Sequence, residues 1–393
     1  MNNHTFASRR ETLRKKVNGG AILILGQHAA PRTYPASTYP FRQGSHFLYY
    51  IGTSAPDLAA LITSDGETTL FGPPEDPDDL IWHGPHPSLD DYASEAGIGI
   101  TDNIANLKGI LTKLVKGGEI VHYTPPLRGA QTLTLCSLFD MPPDIAAAGA
   151  SQELARAIVQ QRSIKTPDEV AEIEQALEIT AKMYAAAFRT TAPGKREAEV
   201  AGAMQGVALA HDSAQSFLPI VSIRGEVLHN ESYSNTMSEG DLLLIDSGNE
   251  SKFFYASDIT RTKPVSGRYT SKQKEIYQVV LDAQLAAIEC ASPAISNRDA
   301  HLVSARTIAA GLKDLGLMKG DVDEAVKAGA HALFFCHGLG HMLGLDAHDM
   351  EDLGDVVGYP EDQNRSKQFG LSFLRLAKKL KPGFVITFEP GIY

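Results

Sequence analysis

The sequence predicts an α+β fold in two parts. Helical and strand patterns mix without regular βαβ alternation. The chain has 393 residues, more than one hydrophobic core usually organises. Near Ser151 its character changes from short apolar runs punctuated by Gly, Pro and Asp to long amphipathic helices.

In the first part, Ala21–Leu25 reads as a buried strand, and residues 47–51, 58–62 and 67–71 read the same way. The loop 72–79 leads into Leu80-Ile-Trp82-His83-Gly84-Pro85, which holds the only tryptophan. A helix over 103–116, a strand over 119–123 and another helix complete a small α/β domain, residues 1–150. Residues 151–165 are expected to be a helical linker, with a helix over 151–161, and 166–393 a second domain. Thr166, Pro167 and Glu169 supply a cap, a first-turn proline and a capping box, and Val170, Ile173, Leu177, Tyr184 and Phe188 keep one apolar face. Further helices are predicted over 195–210, from a second capping box at Thr270 and Gln273 to 290, and over 298–314 and 321–329. Strands are predicted at 217–223, 241–246, 253–258, 333–337 and 384–389.

Composition is that of an ordinary soluble globular protein, 43% hydrophobic and 21% charged. The 36 basic and 47 acidic residues leave a net charge of −11, which argues against a general nucleic-acid binder. The longest apolar runs fall well short of the roughly 20 residues that span a bilayer, so no membrane partner is expected. The amino terminus is polar and then basic (Arg9, Arg10, Arg14, Lys15, Lys16), without the apolar stretch and cleavage site of a signal peptide. Three scattered cysteines, Cys136, Cys290 and Cys336, form neither a disulfide framework nor a zinc ribbon. A reduced, cytoplasmic setting is expected.

Chemistry concentrates in His337-Gly-Leu-Gly-His341-Met-Leu-Gly-Leu-Asp-Ala-His348-Asp349. Histidine is the commonest metal ligand. The spacing alone does not make a zincin, because Gly338 stands where that motif needs a glutamate. The acids must come from elsewhere. Leu242–Ile245 is an apolar run ending on Asp246, and Phe384–Phe388 is another ending on Glu389; a strand end holds a carboxylate on a rigid element. Asp258 follows the turn 248–252 and the return through Phe253-Phe-Tyr255, so two strands about a short turn set it beside Asp246. Carboxylates that close repel unless a cation lies between them. Each acid alone is equally an ordinary turn-boundary residue. Together Asp246, Asp258, His341 and Glu389 form an oxygen-rich set with one imidazole. The set suits Mn²⁺, Co²⁺ or Zn²⁺ and is too rich in hard ligands for one small tetrahedral zinc site. Bridging carboxylates are what a two-metal hydrolase needs.

On these residues the chain resembles the proline-specific metallopeptidases of the pita-bread fold, prolidase (Xaa-Pro dipeptidase) and aminopeptidase P. Five segments match the successive signatures of that family in order: Leu244-Ile-Asp246-Ser-Gly248, Ala256-Ser-Asp258-Ile-Thr-Arg-Thr262, His337-Gly-Leu-Gly-His341, Gly344-Leu-Asp-Ala-His348-Asp349 and Phe388-Glu389-Pro-Gly-Ile-Tyr393. Phe41-Arg-Gln-Gly-Ser-His-Phe47 and Leu80-Ile-Trp82-His-Gly84 match its smaller N-terminal α/β domain. Methionine aminopeptidase shares the ligand set but usually lacks such a domain; creatinase shares the fold but not the metals. The resemblance implies that Asp246, Asp258, His341 and Glu389 hold two divalent ions, Mn²⁺ before Co²⁺ or Zn²⁺, and that Glu389 also moves the proton of the attacking water. His229, in Val227-Leu-His229-Asn230, and His348 are implied to hold the substrate and the developing oxyanion, with His337 nearby. Arg375 lines up with the arginine that binds the dipeptide carboxylate in prolidases, its bland alternative being a solvated surface arginine. Trp82 lines up with a tryptophan that reaches the partner subunit's active site, against a core or hinge aromatic; a homodimer is implied. Tyr393 joins Arg375 and Trp82 among the expected substrate-side residues.

Two departures stand out. Asp258 follows Asp246 by twelve positions where the family usually has eleven, and a longer turn or bulge is expected to absorb the difference. The family's fifth ligand, a glutamate on a later strand, is absent from the sequence given, which stops at Tyr393 inside the last signature. The catalytic domain is therefore expected to lack its last strands, and one metal to lack a bridging group. The expected activity is metal-dependent hydrolysis of Xaa-Pro bonds. Arg375 and the region 358–383 favour the dipeptidase, with the aminopeptidase as the alternative. A non-catalytic binding protein on the same fold is the alternative of another class.

Overall fold

Apolar runs in the first 162 residues build one mixed sheet in the computed structural model, which describes residues 1–393. In chain order the elements are α1 (Asn3–Lys16), β1 (Ala21–Leu25), α2 (Ser45–Ile51), β2 (Ala59–Ile62), β3 (Thr68–Gly72), α3 (Asp79–His83), α4 (Leu89–Ala96), β4 (Ile100–Asn103), α5 (Ile104–Lys116), β5 (Val121–His122), α6 (Gly129–Phe139), α7 (Pro143–Ala148) and α8 (Gln152–Arg162). The strand order is β4-β3-β2-β1-β5, antiparallel at β1–β2 and β2–β3 and parallel at the two outer pairs. Leu23, Leu61 and Phe71 pack with Leu107 and Leu111 of α5. The apolar run 47–51, predicted as a strand, lies in helix α2, with Gly52 at φ 83 ending it. Apolar content alone cannot separate a buried helix from a buried strand; the glycines on either side decide for the helix.

By internal packing this unit comprises Met1–Arg162 and Asp352–Gly354, and a second comprises Ser163–Glu351 and Asp355–Tyr393. The second contains α9 (Pro167–Thr190), α10 (Glu197–Ala210), β6 (Ile220–Ser222), β7 (Leu242–Ser247), β8 (Ile259–Pro264), α11 (Ser271–Cys290), α12 (Asn297–Asp314) and α13 (Val322–Lys327). The capping boxes at Thr166/Glu169 and Thr270/Gln273 are both formed. No helix is long and apolar enough to cross a membrane.

Strands β6, β7 and β8 form an antiparallel sheet with β7 in the middle. Leu243 and Ile245 of β7 face Met183, Tyr184, Val200 and Met204 in one core cluster. Side chains alternate along a strand, so Asp246 is presented to the opposite face. Three predicted strands differ. The return strand was expected at 253–258 but begins at Ile259, because residues 251–255 form a tight turn with Phe254 at φ 65. Residues 330–333 form a short 3₁₀ turn in place of the start of a strand at 333–337. Residues 384–389 pair with 339–343 through only three backbone bonds and one bridge, Met342 to Ile386. Pro390, which has no N–H, prevents that pairing from running on.

Candidate metal centre

Asp246 lies near the end of β7, opposite Ile220 of β6 and Thr260 of β8. Tyr184 braces this corner from α9: its hydroxyl donates to the Ile245 carbonyl at 3.0 Å and also to that of Ile259. Gly248 is required just beyond, since a Cβ there would stand 1.7 Å from the Ser257 carbonyl oxygen. The loop 248–257 folds back through Asn249 and Ser257, whose backbone groups bond at 2.9 Å, and so delivers Asp258 immediately before β8.

His341 is buried between the other acids. Its Nε2 stands 3.3 Å from Asp258 Oδ2 and 3.1 Å from Glu389 Oε1. Its Nδ1–H donates to the Met342 carbonyl at 3.0 Å, which aims Nε2 at the carboxylates. The pairing with 384–389 brings Glu389 there. The Glu389 N–H bonds Leu339 O at 2.8 Å, and Thr387 Oγ1 receives the His341 N–H at 3.0 Å while donating to Glu389 Oε1 at 2.7 Å. Gly340 is needed for the approach, since a Cβ would meet the Thr387 carbonyl oxygen at 2.1 Å.

The electrostatics follow from burial and like charge. Burial raises the Asp246 carboxyl, and Asp258 and Glu389 raise it further, to about 8. Burial alone would lower His341, but hydrogen bonds to Asp258 and Glu389 outweigh it and push the imidazole up to about 10. Burial would raise Glu389, yet His341 and Thr387 hold it below the ordinary carboxylate value.

Three further histidines, His348, His337 and His229, bear on this cluster. The His348 ring lies 3.9 Å from the His341 ring, tilted 32°, and its Nδ1 faces Glu351 Oε2 at 3.2 Å. A carboxylate only accepts, so Nδ1 carries the proton. Arg375 Nη1 donates to the same Glu351 oxygen. His337 donates from Nδ1 to Gly338 O at 2.8 Å and accepts at Nε2 from the Tyr393 hydroxyl at 2.9 Å. Burial lowers its pKa and raises that of Tyr393, which suits a neutral pair. His229 is exposed, on the loop between β6 and β7, and its charge is felt at His337. Trp82 is 76% exposed on the five-residue helix α3 of the other unit, beside exposed Leu80 and Ile81. Sequence reading missed Thr387, Glu351 and Tyr184. The i−2 spacing of Thr387 from Glu389 and the i+3 spacing of Glu351 from His348 were the available signals.

Asp246, Asp258, His341 and Glu389 fit a divalent metal. No three donors converge on one point as a ready-made cage; the fit lies in pairs of donors and in single atoms. Two ligands on one ion, each about 2.1 Å from it, stand about 3.0–3.4 Å apart. The His341–Asp258 and His341–Glu389 separations match that. Asp246 Oδ1 is buried with no hydrogen-bond partner, as a ligand oxygen would be. The first unit's cavity of about 320 Å³, lined by Arg10, Glu11 and Gly97 among others, shares no residue with this cluster.

Residues 171–393 match the family Metallopeptidase family M24, and residues 6–122 match Aminopeptidase P, N-terminal domain. The chain belongs to metallopeptidase family M24. Xaa-Pro aminopeptidases of Haemophilus influenzae and of Escherichia coli K12 are each 31% identical, over 99% of this chain and 86% of theirs. Among solved structures, Zn-substituted E. coli aminopeptidase P in complex with product and the low-pH form of that enzyme each superpose with a TM-score of 0.85. Both are 30% identical, over 100% of this chain and 88% of theirs. The chain is thus a pita-bread metallopeptidase of the proline-specific kind, close to aminopeptidase P. M24 membership implies divalent metal ions and a peptide substrate. These relatives are aminopeptidases, so they favour the aminopeptidase alternative over the expected dipeptidase.

Proposed function

We propose that this protein is an Xaa-Pro aminopeptidase, releasing the first residue of peptides whose second residue is proline. The observation that carries the reading is the buried His341 held between Asp258 and Glu389, with Asp246 Oδ1 unpartnered beside them. Asp246, Asp258, His341 and Glu389 would hold the metal ions, with Mn²⁺ the first choice. Ions bound there supply Lewis acidity and lower the pKa of an attacking water. Glu389 takes the water proton and returns it to the leaving nitrogen. That return matters because an Xaa-Pro bond has no N–H and its nitrogen must be protonated to leave. His348, its Nδ1–H fixed on Glu351, offers Nε2 to the substrate. It or His229, once protonated, donates to the oxygen on which charge develops. His337 and Tyr393 buttress that side. We also propose residues 1–150 as an N-terminal domain, 151–165 as the linker and 166–393 as the catalytic domain, and Trp82 as the contact of a homodimer.

The dipeptidase reading keeps one observation in its favour: Arg375 reaches the His348–Glu351 pair and its charge is felt at His337. A dipeptide ends in a carboxylate just beyond the scissile bond, where a guanidinium makes charge-assisted bonds. The test compares kcat/KM on Ala-Pro and Ala-Pro-Ala for wild type and Arg375→Ala. The aminopeptidase predicts preference for the tripeptide and similar losses on both substrates. A wild-type preference for Ala-Pro, with a loss of about ten- to a hundredfold confined to Ala-Pro in the variant, would make it a dipeptidase.

A further inference from the structure

The loop 223–235 joins β6 to β7, carries His229 and is largely exposed. Its two ends meet on one side chain. Glu197, at the first turn of α10, is fully buried. Its Oε1 accepts the Ile223 backbone N–H at 2.7 Å, and its Oε2 accepts the Asn235 backbone N–H at 3.1 Å. The Asn235 side-chain amide donates to both oxygens, at 3.1 and 3.0 Å. The Glu197 N–H returns to the Asn235 carbonyl at 3.1 Å. Beyond Asn235 the chain runs on beside 194–196 through the Arg196–Thr236 bridge and two 2.8 Å bonds between Met237 and residues 194 and 195.

Position and charge both favour this arrangement. A carboxylate in the first turn of a helix is stabilised by the helix dipole, and its bonds to N–H groups are stronger than neutral ones. A buried carboxylate deprived of such donors is strongly unfavourable, so Glu197 resists separation of the loop ends. A glutamine in its place presents an NH₂ group to one set of N–H donors, which it cannot accept.

We propose that Glu197 is a positioning residue that clamps both ends of loop 223–235 and thereby sets where His229 stands. The role of His229 rests on the function proposed above; the clamp itself rests on the hydrogen bonds alone. The Mn²⁺-loaded full chain, with Ala-Pro-Ala as substrate, tests both. In Glu197→Gln, amide exchange at Ile223, Asn235 and the residues between them rises about tenfold or more, while that of Leu242–Ser247 is unchanged. The value of kcat/KM falls about ten- to a hundredfold. His229→Ala falls at least as far, and adding Glu197→Gln to it causes no further loss, because the clamp acts through that histidine. Asn235→Ala, which keeps the backbone N–H, shifts exchange in the same direction by less and carries the test if Glu197→Gln does not fold. Unchanged loop exchange in a folded variant overturns the clamp. Independent, multiplying losses for Glu197 and His229 overturn its action through His229. If the loop is released but His229→Ala is fully active, the clamp stands and the role given to His229 falls.

Discussion

His341 is the pivot at the scale of single residues. Its Nδ1–H is committed to a backbone carbonyl and its Nε2 lies between two carboxylates, so without metal it keeps a proton that metal must displace. Its folded pKa, about 10, is above the ordinary 6.5, and that of Asp246, about 8, is above the ordinary 3.8. Both groups bind protons more tightly when folded. Their contribution to stability is full below the unfolded values and is lost as pH rises through the folded ones. We therefore expect metal-free protein to lose the Asp246 share of stability from near pH 4 to near pH 8 and the His341 share from near pH 6.5 to near pH 10, with the net fall clearest above pH 6.5, and Mn²⁺ to protect it more as pH rises. Urea midpoints with and without Mn²⁺ measure this, and calorimetry in buffers of different ionisation enthalpy measures the protons released on binding. A metal-free curve that is flat or rises over this range contradicts the assignment.

Two expectations belong to the scale of elements. His301 of α12 is fully buried, with both ring nitrogens lacking hydrogen-bond partners and its ring 5.0 Å from Phe335. Burial, then His331 and His337, lower its pKa to about 3. It is neutral when folded and gains a proton on unfolding, so stability is present above the unfolded value and falls as pH drops toward the folded one. The linkage amounts to about 2 kcal/mol at pH 5. His301→Phe, which suits the apolar surroundings, should remove that acid-side loss. Urea unfolding near pH 7 and near pH 5 shows it, and an unaltered pH dependence would assign the loss elsewhere. The second concerns the segment before α9 and the loop next to His348. Lys165 Nζ and Asp349 Oδ2 pair at 2.8 Å with both side chains only 1% exposed. Removing one member of a buried pair typically costs about 3–5 kcal/mol. Lys165→Met should lose about that much in chemical denaturation, and Lys165→Met/Asp349→Asn should recover a large part of it. Equal losses in both proteins would mean that packing, not charge, is what Lys165 supplies.

Metal dependence is the expectation for the whole molecule. Chelation should abolish Xaa-Pro cleavage and lower Tm, because ions that bind only the folded chain stabilise it, and Mn²⁺, Co²⁺ or Zn²⁺ should restore both. Full activity after exhaustive chelation, verified by metal analysis, would remove the metal from the mechanism. Trp82, with Leu80 and Ile81, exposes apolar surface on one short helix. Trp82→Ala should shift sedimentation toward monomer and reduce kcat/KM together; a wild type that sediments as monomer at assay concentration ends that proposal.

Much of the catalytic unit was legible in the residues because its signals are local. Capping boxes at Thr166 and Thr270, an apolar run ending on Asp246 and the two-residue periodicity of β7 all act over a few positions. Helix α2 was not legible, since five apolar residues suit either element until the flanking Gly52 is placed at φ 83. Nor was the start of β8, which the turn at Phe254 moves to Ile259. The amino acids by themselves determined which donor types are present and on which segments they lie. Tertiary structure alone brought Asp258, His341 and Glu389 together, engaged Arg375 with Glu351, and closed the His229 loop on Glu197. Those distances join residues far apart in the chain, and only packing that buries the intervening segments sets them.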